Sequence, residues 1–268
     1  MIKYKAIISD FDGTLVGKTF EVSPIVKVAI GKFIKAGGIF TIATGKFFPG
    51  VVQNACRALN LSTPVITDGG AEILNPTSGE VLHAEYINDE DTQMLIQMLM
   101  DDTKIPFEVH KSGKIYTPNM ELSKKFSYKK YYNLNETNFS DTGKVRLIIT
   151  GMEKEADEFV EYKLKNQFPE VCFLRADNAN SKGYDITSEK ATKHLAILEL
   201  LKILNLKSEE VAGVGDQYND FPLFTAVGFK VAMGDAPEEL KEFADLVVPT
   251  VDENGLVVLI EKILNEKI

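Results

Sequence analysis

The stretch Ala6-Ile7-Ile8-Ser9-Asp10-Phe11-Asp12-Gly13-Thr14-Leu15 decides how this chain is read. Its apolar start predicts a buried strand, and the run ends in two carboxylates one residue apart. On extended backbone side chains alternate with a period of two, so Asp10 and Asp12 point to the same side. Two like charges that close repel each other. A bound divalent cation or a proton shared by the pair offsets the repulsion. Gly13 frees the backbone to turn, and Thr14 adds a hydroxyl. One such carboxylate can act as a nucleophile while its neighbour moves protons. The plainer reading is a strand that ends in an acidic turn. The whole Asp-x-Asp-Gly-Thr run directly after an N-terminal strand disfavours it.

Outward from this stretch, strands alternate with helices. Ser23-Pro24 opens a helix, with Ser as N-cap and Pro at the first helical position. Ile25, Val28, Ala29 and Phe33 then recur at helical spacing, and Gly37-Gly38 ends the run. Residues 39–43 predict a second buried strand that stops at Thr44-Gly45-Lys46. A helix at 49–59 and a short strand at 65–67 follow. Near-continuous apolar strands separated by helices imply a parallel sheet covered on both faces. Near residue 80 the texture changes. Strands are predicted at 107–110, 114–117, 144–150 and 171–175, and helices at 91–101 and 153–168. This hairpin-rich stretch, 82–183, reads as an α+β domain inserted into a core made of 1–81 and 184–268. The earlier pattern then returns. Thr192 caps a helix at 193–204, strands follow at 211–215, 230–233 and 246–248, and a helix at 257–264 closes the chain. The expected fold class is α/β, a doubly wound parallel sheet with an inserted α+β cap.

In such sheets, sites lie beyond the carboxyl ends of the strands. Asp10 and Asp12 follow the first strand and Thr44 the second. Asp216-Gln217-Tyr218-Asn219-Asp220 follows the strand after the insertion, and Lys193 opens the helix before it. These segments can converge on one rim. The 268 residues are 44% hydrophobic, enough for a real core, and carry a formal net charge of −9. That charge argues against a nucleic-acid surface or an anionic membrane as partner. No apolar run reaches the length of a membrane span, and the N-terminus leads straight into the first strand, so no signal peptide is expected. Cys56 and Cys172 are far apart and lack metal-ligand spacing, which suits reduced thiols in a cytoplasmic protein.

The first stretch resembles the first motif of the haloacid dehalogenase superfamily, in its phosphatase branch. The second aspartate favours phosphoryl chemistry, because the dehalogenase branch lacks it. Thr44-Gly45 resembles the second motif, Lys193 the third, and Gly215-Asp216-Gln217-Tyr218-Asn219-Asp220 the fourth, Gly-Asp-x-x-Asn-Asp. Ala232-Met233-Gly234-Asp235-Ala236 is similar to the family's Ala-Met-Gly-Asn-Ala loop. An insertion between the second and third motifs resembles the large type II cap of the Cof-type subfamily. The resemblance covers nearly the whole chain and implies a Mg2+-dependent phosphatase of small phosphorylated metabolites, sugar phosphates among them. It implies that Asp10 attacks phosphorus to form an aspartyl-phosphate and that Asp12 protonates the leaving oxygen, then activates water. Magnesium keeps several waters and takes a few hard oxygens; Asp10, Asp216 and the backbone carbonyl of Asp12 would supply them. Thr44, with Gly45 and Lys46 after it, would hold phosphate oxygens, supported by Gly13 and Thr14. Lys193 would offset the charge on nucleophile and phosphate, and Asn219 and Asp220 would organise the site. Lys190, three residues earlier, is the rival for the lysine role.

The family usually has Thr-Gly-Arg, but position 46 here is Lys, a point charge in place of a planar fork. It usually has Asn-Gly where this chain has Gly69-Gly70, and Asn where it has Asp235. None of these is expected to touch the nucleophile, the acid/base or the metal aspartates. In the cap, residues 145, 147 and 149 form an apolar face, so Arg146 projects to the other one. The same alternation puts His110 opposite Phe107 and Val109, and Arg175 opposite Cys172 and Leu174. These three are substrate-specificity candidates. Two other functions remain open on the motifs: a phosphomutase or phosphotransferase using the same phospho-aspartate, and a non-catalytic phospholigand-binding regulator on the same fold.

Overall fold

The computed structural model describes residues 3–102, 105–111, 114–125, 130–136, 145–150, 154–178 and 181–265. The chain divides into two compact units, 1–84 with 191–268 and 85–190. The first unit opens with β1 (Ala6–Ser9), α1 (Pro24–Lys35), β2 (Ile39–Ile42), α2 (Gln53–Leu59), β3 (Val65–Thr67), β4 (Glu72–Leu74) and β5 (Val81–Ala84). The second carries α3 (Asp89–Asp101), β6 (Phe107–Lys111), β7 (Lys114–Thr117), α4 (Leu122–Lys125), β8 (Tyr131–Asn133), β9 (Val145–Thr150), α5 (Lys154–Phe159), β10 (Val171–Asn178) and β11 (Ser181–Ser188). The chain returns with α6 (Lys193–Leu204), β12 (Val211–Gly215), α7 (Phe221–Ala226), β13 (Phe229–Met233), α8 (Glu238–Phe243), β14 (Leu246–Val248) and α9 (Gly255–Leu264).

Five parallel strands in the order β14-β13-β12-β1-β2 form the sheet of the first unit. Every residue of β1 is buried, because the sheet is covered on both faces. Ile7 packs with Ile30 and Phe33 of α1 and Leu259 of α9. Ala6 and Ile8 pack with Ala196, Ile197 and Leu200 of α6 on the other side. The predicted caps are present: the Ser23 and Thr192 hydroxyls accept the N–H groups of Val26 and Leu195. The helix expected from residue 49 begins only at Gln53. Pro49 is extended (φ −60°, ψ 137°) and Gly50 has φ +99°, so the chain cannot coil there.

In the second unit six strands run β10-β11-β9-β6-β7-β8, antiparallel except for the β7–β8 pair. One face buries Phe107, Val109, Leu147, Ile149, Phe173 and Ile186 against Leu95 and Leu99 of α3 and Phe159 of α5. The unit ends at 190/191 and not at 183/184, because β11 is a full strand of this sheet. On the opposite face Arg146 lies directly across from His110 in the β6–β9 register. Arg146 pairs with Asp185 at 2.6 Å, and Glu108 bridges the His110 ring (2.7 Å) and the Tyr131 hydroxyl (2.5 Å). The side chain of Arg175, the third candidate, lies outside the described residues. In β10 the packed residues are Val171 and Phe173, while Leu174 is exposed.

Candidate active site

β1 lies between β12 and β2, with Ser9 level with Val214 and Ile42. The residues just past these strand ends are therefore neighbours. The Asp10 N–H donates to the Val214 carbonyl (2.9 Å), which carries the first carboxylate beside the end of β12, where Asp216 follows. Gly13 turns the chain at φ +76°, and a Cβ there would sit 2.2 Å from Asp216 Oδ2. Glycine at 13 is thus what lets the Asp216 carboxylate lie over this turn, where Thr14 Oγ1 donates to Asp216 Oδ1 at 2.8 Å. Thr44 is buried past the end of β2, and its hydroxyl oxygen accepts the Lys46 N–H at 3.1 Å. Its own O–H proton stays available for a further acceptor.

Lys193 occupies the first turn of α6, where the helix dipole disfavours a cation. Its side chain is nevertheless only 4% exposed, and its Nζ donates to Asp10 Oδ1 (2.5 Å) and Asp220 Oδ1 (2.6 Å). Lys190 is exposed, so the rival is excluded. Asp220 serves two purposes at once. Its Oδ1 meets Lys193, while its Oδ2 accepts the backbone N–H groups of Asp216 (2.9 Å) and Gln217 (3.1 Å) and so caps the turn that follows β12. Asn219 does not join this buried group; it is exposed. Gly70 has a role that the spacing does not announce. With φ +113° it lies against the backbone of α6, and a Cβ there would be 2.4 Å from the Thr192 carbonyl. The Gly-Gly pair was the available signal.

The electrostatics are lopsided. Asp10, Asp216 and Asp220 form a buried cluster of carboxylates close enough to share an ion, with one ammonium among them. Burial, and then the Asp220 carboxylate, push the Asp10 pKa well above its ordinary value despite Lys193. Burial and Asp220 likewise push Asp216 up from 3.8 to about 7. Burial pulls the Lys193 ammonium down, but the carboxylates of Asp10 and Asp220 outweigh it and raise its pKa. The residues fit a divalent cation: the donors are hard oxygens, and the excess negative charge has no other offset in the cluster. Both Asp220 oxygens are already committed, so Asp10 and Asp216 are the carboxylates that could hold it.

This predicts an unusual pH response. A group whose folded pKa exceeds its unfolded one stabilises the native state fully below the unfolded value and loses that contribution as pH rises through the folded one. For Asp216 the window runs from 3.8 to about 7. The rise in melting temperature caused by a divalent cation should therefore be larger at the top of this window than at the bottom. Thermal melts with EDTA and with added cation across the window check it, and a larger rise at the acid end would contradict the assignment.

Asp12 stands apart from the buried cluster. Its carboxylate is half-exposed and meets Lys46 Nζ at 3.2 Å. Lys46 therefore does reach Asp12, against the expectation from the sequence, and the geometry separates two kinds of carboxylate, one buried and held by Lys193, the other half-exposed and paired with Lys46.

A family model for haloacid dehalogenase-like hydrolases matches residues 7–260. The chain belongs to that family. It is an enzyme of the family's phosphatase type, with the Cof-type arrangement in which the α+β unit interrupts the core between the second and third motifs. A putative phosphatase of Haemophilus influenzae is 27% identical over 266 residues, covering 97% of this chain and 98% of that protein. The phosphatase YwpJ of Bacillus subtilis is 28% identical over 287 residues, covering 97% and 100%. Among solved structures, a haloacid dehalogenase-like hydrolase from Bacteroides thetaiotaomicron superposes with a TM-score of 0.83 at 23% identity, covering 97% of this chain and all of that one, which bears on the fold alone. Among the described residues no helix is long and apolar enough to cross a membrane.

Proposed function

We propose that the protein is a magnesium-dependent phosphatase of small phosphorylated metabolites, sugar phosphates among them, acting in the cytoplasm. The observation that carries this reading is the division of labour between Asp10 and Asp12. Asp10 is buried and gripped through one oxygen by Lys193, which fixes the other for attack. Asp12 lies outside the cluster with its carboxylate half-exposed, where it can meet a leaving group and then water.

In the first step an Asp10 oxygen forms a bond to phosphorus as the bond from phosphorus to the leaving oxygen breaks. Protonated Asp12 gives its proton to that oxygen. In the second, Asp12 takes a proton from water as the water attacks the aspartyl-phosphate, which releases phosphate and restores Asp10. Lys193 holds the nucleophile and offsets charge on the phosphoryl group. Thr44 and Gly45 offer donors to its oxygens, while Gly13 and Thr14 support the site by shaping the turn and holding Asp216. A magnesium ion held by Asp10, Asp216 and the Asp12 carbonyl would supply the remaining positive charge. Asp220 positions Lys193 and the turn after β12. Arg146 and His110 of the inserted unit are proposed to select among substrates.

The test is release of free phosphate across a panel of phosphorylated metabolites. Activity should vanish in EDTA and return with magnesium. Full activity in metal-free protein would overturn the metal-assisted reading. Transfer of the phosphoryl group to a sugar hydroxyl, with no free phosphate, would replace hydrolysis by phosphotransfer.

A further inference from the structure

Lys46 replaces the arginine usual in the family, and among the described residues its ammonium meets two groups. One is Asp12, at 3.2 Å; the other is the ring of Phe20, whose centroid lies 5.0 Å away. The lysine and the Asp12 carboxylate are 34% and 47% exposed, and an ion pair that open adds little to fold stability. Stability therefore does not explain the arrangement. Phe20 is odder still. Its φ is +58°, a region that bulky L-residues avoid, yet its ring stays 41% exposed and fills no core. What the ring does have is an ammonium over its face, a favourable electrostatic contact. Backbone strain kept without a packing return points to a role in the site.

The stem of Lys46 is also anchored. Its N–H donates to Thr44 Oγ1 and its carbonyl accepts the Asp68 N–H at 2.9 Å. A fixed backbone, an aromatic rest and a cationic tip that ends on Asp12 make a short mechanical chain. We propose that Lys46 is a positioning residue for Asp12, aiming its carboxylate at the leaving oxygen, and that Phe20 positions Lys46. The proposal rests on the reading of Asp12 as the acid/base. The competing role for Lys46 is a direct contact to the phosphate itself.

Phenyl phosphate and para-nitrophenyl phosphate separate the two. They have nearly the same shape, but only the first depends strongly on protonation of its leaving group. Lys46→Met should lower kcat for phenyl phosphate about tenfold more than for para-nitrophenyl phosphate, with KM little moved. Lys46→Arg should restore both rates, and Phe20→Leu should show the same bias more weakly. In an Asp12→Asn background Lys46→Met should add nothing, as a double-mutant cycle requires when one residue acts through the other. Equal slowing of both substrates, or a shared rise in KM, would overturn the proposal and assign Lys46 to phosphate. Asp12→Asn alone distinguishes the underlying reading. If it slows both substrates equally, the acid/base assignment falls and takes the proposal with it. If it is biased towards phenyl phosphate while Lys46→Met is not, the proposal alone falls.

Discussion

Asp10→Asn is expected to bring turnover down to background while the protein stays folded. An amide cannot attack phosphorus and is a poor ligand for a hard cation. The stability side of the same change is less obvious. Asp10 is a buried carboxylate whose ionised form is disfavoured, first by burial and then by Asp220. Its replacement removes a charge that the fold accommodates at a cost, and Lys193 keeps Asp220 as a partner. In EDTA at neutral pH the variant should therefore melt no lower than the wild type. Added magnesium, which should raise the wild-type melting temperature, should have little effect on it. Initial rates and thermal melts with and without cation check both halves. Near-normal turnover in a folded Asp10→Asn protein would end the covalent mechanism. A much lower melting temperature in EDTA would mean instead that the Asp10 charge is a net support of the fold.

The chemistry was more legible in the sequence than the local geometry was. Asp10, Asp216 and Lys193 follow strand ends or open a helix in a strongly apolar α/β pattern, and the topology then brings those ends together. Spacing could not choose between Lys190 and Lys193; burial of the second among carboxylates does. The face of Arg175 was not legible for a simple reason. Val171-Cys172-Phe173-Leu174 is apolar throughout, so alternation could not say which half packs. Strands β4 and β8 have three residues each, Glu-Ile-Leu and Tyr-Tyr-Asn, and lack the β-branched apolar run that marks the equally short β3 and β14. Strand β11 hides behind Gly183, whose Cβ would meet the Ile149 carbonyl at 2.0 Å; the glycine reads as a breaker but serves a close strand pair. The contact of Lys46 with Phe20 depends on a left-handed backbone at Phe20 that no residue preference foretells.

Lys193→Met should be the most damaging change to the fold of the first unit as well as to its activity. Among the described residues the lysine is the one ammonium set among three buried carboxylates. Removing one partner of a buried ion pair leaves uncompensated charge, which typically destabilises by about 3–5 kcal/mol. For a chain of this size that is a drop in melting temperature of roughly ten degrees. The pH dependence identifies the cause. In the wild type the Lys193 pKa is raised above 10.5, so its contribution is fully present below that value and is lost only at more alkaline pH. It gives no slope near neutrality. Asp10 and Asp216 do, since their raised pKa values make the native state bind protons more readily than the unfolded chain. Without the ammonium Asp10 becomes harder to ionise, so the variant's deficit should grow as pH rises towards neutrality and shrink on acidification. A divalent cation should recover part of it, because it supplies the missing positive charge. Activity should stay low even then, since the nucleophile has lost the group that aims it. Melts of Lys193→Met and wild type from mildly acidic to neutral pH, with EDTA and with magnesium, provide the check. Equal melting temperatures in EDTA at neutral pH, or a deficit that does not change with pH, would show that Lys193 does not balance the buried carboxylates.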